Sequence, residues 1–95
     1  MKNKENTIRK ITRAVESIDK AISMGDQKVF DVASIEQLER FKMCLLHVLS
    51  LVLLGDIPEK NSRELGLARV VVDQWPFDLE LGLLIIDAEQ AYKSL

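Results

Sequence analysis

Residues 77–95 read FDLELGLLIIDAEQAYKSL, and the spacing of apolar side chains in this stretch decides what kind of fold the chain makes. At 3.6 residues per turn, Leu81, Leu84, Ile85, Ala88, Ala91, Tyr92 and Leu95 line one wide face, while Leu79, Leu83 and Ile86 form a second stripe. Glu80, Asp87 and Ser94 separate the two on one flank, and Gly82, Glu89 and Lys93 on the other. The segment reads as a helix from about Phe77 to Lys93, begun after Pro76, with Asp78 and Glu80 in the first turn where the helix dipole favours anions. A helix with two apolar faces needs two neighbours. Either it is buried more deeply than its place at the end of the chain suggests, or another molecule covers the second stripe. The expected cover is a second copy, making Leu79, Leu83 and Ile86, together with Leu67 and Val70 and the acidic flank of Glu80 and Asp87, the candidate interface.

Working back along the chain, three more helices are expected. Asn61 and Glu64 have capping-box spacing and predict a helix from Asn61 or Ser62 to about Gln74. Its core face is Leu65, Ala68, Val71, Val72 and Trp75, with Leu67 and Val70 turned away from it. Ser34 and Gln37 repeat the box and predict a helix over Ile35 to Leu54. Leu38, Phe41, Leu45, Val48, Leu49, Val52 and Leu53 give that helix a broad apolar side, against a narrow strip of Glu36, Glu39, Arg40, His47 and Ser50, so it is expected at the centre of the fold. The most regular amphipathic pattern runs from about Thr7 to Met24, where Ile8, Ile11, Ala14, Val15, Ile18, Ala21 and Ile22 share one arc. Gly25 and Gly55 supply the stops.

The fold expected is all-α, a compact bundle of about four helices over residues 7–95 as one domain, with residues 1–6 as a flexible N-terminal tail. The rival is α+β. Val70-Val71-Val72 and the stretch 28–32 are rich in β-branched residues and would make one short two-stranded pairing.

Composition bounds the remaining possibilities. With 95 residues and 47% hydrophobic side chains, one core should form and leave ~5,500 Å² of folded surface. A single cysteine, Cys44, excludes an internal disulfide and the multi-cysteine zinc sites, and fits a reducing, cytoplasmic setting. No secretion signal is visible at the N-terminus. The longest apolar run, Met43 to Leu54, includes His47 and Ser50 and falls short of the ~20 residues of a membrane span.

Charge is unevenly spread: residues 1–20 carry a net +3 and residues 73–95 a net −4, although the whole chain is only −2. Attraction between these ends inside the fold is the simpler account of the asymmetry. The rival is nucleic-acid binding, through the basic strip of Lys2, Lys4, Arg9, Lys10, Arg13 and Lys20 or through a helix-turn-helix made by the second and third helices. In the third helix, however, Lys60, Arg63 and Arg69 are offset by Glu59, Glu64 and Asp73, whereas phosphate contacts call for surplus cation.

Catalytic groupings are sparse. Cys44 and His47 are three residues apart, yet on the wheel His47 joins the polar strip and Cys44 the edge of the apolar arc, so a small buried hydrophobe and a surface imidazole are expected. Asp78, Glu80 and Asp87 read as a solvated acidic flank rather than paired catalytic acids. The four glycines are scattered singly and make no phosphate loop. No enzyme activity, cofactor or metal is expected. The chain reads as a homodimeric protein-interaction module whose acidic flank suits a basic partner protein, in the manner of an immunity-type inhibitor, antitoxin or secretion chaperone.

Overall fold

The computed structural model describes residues 2–95, with side chains from residue 4 onward. Five helices follow in order: α1 (Lys2–Met24), α2 (Gln27–Phe30), α3 (Ile35–Leu54), α4 (Leu67–Gln74) and α5 (Glu80–Lys93), with a 3₁₀ turn at Lys60–Ser62. There is no strand among the described residues, so the all-α reading holds and the two-stranded alternative does not. The β-branched run Val70-Val71-Val72 lies inside α4, and Val29 and Phe30 in the single turn of α2, where their amides donate to Asp26 rather than to a neighbouring strand.

At ~1.5 Å per residue, the 23 residues of α1 nearly span the 37 Å long axis of the molecule. Helix α1 packs against both α3 and α5, and its arc of Ile11, Ala14, Val15, Ile18 and Ala21 is buried between them. The central element is therefore α1, and α3, expected at the centre, lies at the edge. The reason is visible in its burial pattern: Leu38, Phe41, Leu45, Val48 and Val52 face the core, while Met43, Leu46, Leu53 and Leu54 on the opposite side are exposed. Helix α1 also starts at Lys2, so residues 2–6, expected as a flexible tail, are helical; Met1 lies outside the described residues.

The expected stops operate. Gly25 and Gly55 both take left-handed φ, and in each case the amide after the glycine reaches back to the carbonyl five residues earlier, Asp26 to Ala21 and Asp56 to Leu51. Ser34 caps α3, its hydroxyl accepting from the Gln37 amide at 3.0 Å.

Helix α4 departs from expectation. It starts at Leu67, not at Asn61 or Ser62, and the Asn61–Glu64 box does not form. It runs along α5 so closely that a Cβ added at Gly82 would lie 2.8 Å from Cγ1 of Val71 and 3.2 Å from Cε3 of Trp75. Trp75, 95% buried with its indole stacked on Phe41 at 5.9 Å between centroids, closes the end of this contact. The second neighbour that α5 requires is thus α4 of the same chain.

Candidate interaction surface

The α4–α5 seam is held by one side chain that periodicity does not single out. Glu89 of α5 is 97% buried, and its two carboxylate oxygens accept from three main-chain amides at the head of α4: Leu65 at 3.0 Å, Gly66 at 3.3 Å and Ala68 at 2.8 Å. A buried carboxylate is costly unless it is hydrogen-bonded, and here it satisfies donors that every helix N-terminus leaves open, at the positive end of the helix dipole. Glu89 acts as the cap that α4 lacks in its own sequence, since Gly66 at the N-cap has no side chain to offer. That is why α4 begins after Gly66.

Neighbouring groups close the same corner. The buried guanidinium of Arg63 donates through Nε to the Pro58 carbonyl at 2.7 Å and through Nη1 to the main-chain oxygen of Leu95. Tyr92 is buried beside it, and burial raises its phenol above the ordinary range against the opposing pull of the Arg63 charge. The Cys44 thiol is likewise raised, first by burial and then by the charge of Glu89. A thiol so held stays protonated at neutral pH, which removes the nucleophile. His47 stands exposed on the outer side of α3 and does not share a site with it. The seam is a structural closure: its carboxylate is fully engaged and its thiol is passive.

The expected interface residues fall largely into this closure. Leu67 is buried in the core, and Val70, Leu79 and Ile86 are half-buried against it. Of the apolar positions only Leu83, 53% exposed, stands out, in an arc with Glu80, Asp87 and Gln90. Asp87 is paired with Lys10 of α1 at 3.1 Å, so part of the acidic flank meets the basic segment within the fold. Within the chain, Leu67, Val70, Leu79 and Ile86 are thus engaged with the core, and Leu83 with Glu80 and Asp87 remains on the surface.

Exposed apolar surface gathers instead on α3. Ile35, Met43, Leu46, Leu53 and Leu54 all stand out from the fold, Met43 at 64% and Leu54 at 79% exposure, and at 3.6 residues per turn they fall within ~100° of arc. Glu36, Glu39, Arg40, His47 and Ser50 are interspersed with them. Ser50 donates to the carbonyl of His47 at 2.7 Å, turning its hydroxyl onto its own helix. At the border of the face, Lys42 bridges to Asp19 of α1 at 2.7 Å, a bond that holds its ammonium above the ordinary range and ties α3 to α1. Sequence reading missed this surface because it counted Leu53 with the core side of an enclosed helix; the signal was present in Met43, Leu46 and Leu53, which keep a spacing of three and seven residues on the side opposite Phe41 and Val48.

Two other features bear on function. A cleft of about 540 Å³ opens between the end of α1, α2 and the start of α5. Its charged lining, Lys20 and Lys28 with Asp26, Asp78 and Glu80, is mixed in sign and converges on no single ligand chemistry. The chain between α3 and α4 covers residues 55–66, far longer than the ~3–4-residue turn of a helix-turn-helix. Among the described residues, no cluster of histidine, cysteine and carboxylates has metal-binding form, and no helix is long and apolar enough to cross a membrane. No protein-family model matches the chain, and no curated protein matches its sequence.

Proposed function

We propose that this chain is a small protein-interaction module that works by presenting the outer face of α3 to another polypeptide. The observation that carries this reading is the cluster of Ile35, Met43, Leu46, Leu53 and Leu54 in solvent on one side of a helix whose other side builds the core. Apolar patches of this kind, rimmed by charged groups, mark protein contacts. The rest of the molecule supports it. The buried carboxylate serves helix α4, the thiol is held neutral, and the cleft near α2 offers charges of both signs, so the surface is the feature with work left to do.

The face is a scaffolded one. Asp19–Lys42, the Ser34 cap and the Gly55 stop hold α3 in place from both ends and from behind, so binding requires little ordering. A photo-crosslinking residue at Leu46, compared in cells with one at Gln90 on the exposed arc of α5, tests the reading. Adducts concentrated at position 46 are expected. Absence of adducts at 46, or equal yields at both positions, would contradict it.

A further inference from the structure

We draw no further inference here: the strongest candidate, the exposed apolar face of Met43, Leu46, Leu53 and Leu54 on the outer side of α3, carries nothing beyond the reading just given, because nothing in the structure shows what covers it.

Discussion

The apolar stripes on α5 and on the outer side of α3 are treated differently by the chain. On α5, the stripe of Leu79, Leu83 and Ile86 looks unfilled in sequence, but Leu79 and Ile86 pack against the core of the same chain, and α4 lies along the neighbouring flank of Gly82 and Glu89. On α3, the stripe of Met43, Leu46 and Leu53 looks like part of an enclosed helix but is open to solvent. The difference lies in backbone satisfaction. A short helix such as α4 is marginal by itself, and it persists over α5 because Glu89 satisfies its first amides and because Gly82 lets Val71 and Trp75 approach. Among the described residues, no buried side chain caps a further helix over α3's outer side.

The largest effect that separates the two surfaces comes from removing the buried cap. Glu89→Ala leaves three amides at the head of α4 without their acceptor and should cost on the order of 2–5 kcal/mol, measured by urea denaturation. Hydrogen exchange should rise over residues 65–74 while α3 remains protected. Uniform loss of protection in α1 and α3 would show that the seam is not a separable unit. Glu89→Gln, which keeps one acceptor oxygen, should fall between the two.

Gly82→Ala is the next step down. Its Cβ meets Val71 Cγ1 at 2.8 Å, and overpacking of this kind costs roughly 1–3 kcal/mol. Val71→Ala in the same chain should recover part of the loss. Additive costs in that double-mutant cycle would mean that the two helices do not meet where Gly82 places them.

Alkaline pH acts more weakly and on both regions. Cys44, Tyr92 and Lys42 all hold their protons more tightly in the fold than at their ordinary values of 9.0, 10.0 and 10.5. The folded state then binds more protons than the unfolded state once the pH exceeds those values, so stability is intact below about pH 9 and declines as pH rises through each folded value. Tyr92→Phe should soften that decline. An unchanged alkaline limb would show that burial of the phenol is not its source.

The smallest effect belongs to α3. Met43→Glu or Leu53→Glu should change the stability of the isolated chain by no more than ~0.5 kcal/mol, the usual range for surface positions away from special features. A loss of several times that size would place those side chains in the core and remove the open face altogether.

Much of this was legible in the residues. The ends of α1 and α3 follow from Gly25, Ser34 and Gly55, whose local chemistry leaves little choice, and the two-faced pattern of α5 correctly demanded two neighbours. What could not be read is whatever depends on distant partners. The start of α4 is set by Glu89, which lies 21 to 24 residues away from the amides it caps, so the local Asn61–Glu64 spacing gave a false start. Leu67 lies ~40° from Val71 on the wheel and is buried with it, while Val72, expected on the core face, is 69% exposed; the expected face includes Leu65, which lies before the helix begins. The wheel of α3 showed how its apolar residues are spread, but not which half the single neighbouring helix α1 would choose. Lys10–Asp87 bears out the internal pairing of the basic and acidic ends at one position.

Photo-crosslinking in cells, with the reactive residue placed in turn at Met43, Leu46 and Leu53 of α3 and at Leu79, Leu83 and Ile86 of α5, tests the central claim most directly. The account predicts adducts concentrated at the α3 positions; adducts centred on Leu79, Leu83 and Ile86 with none from α3 would contradict it.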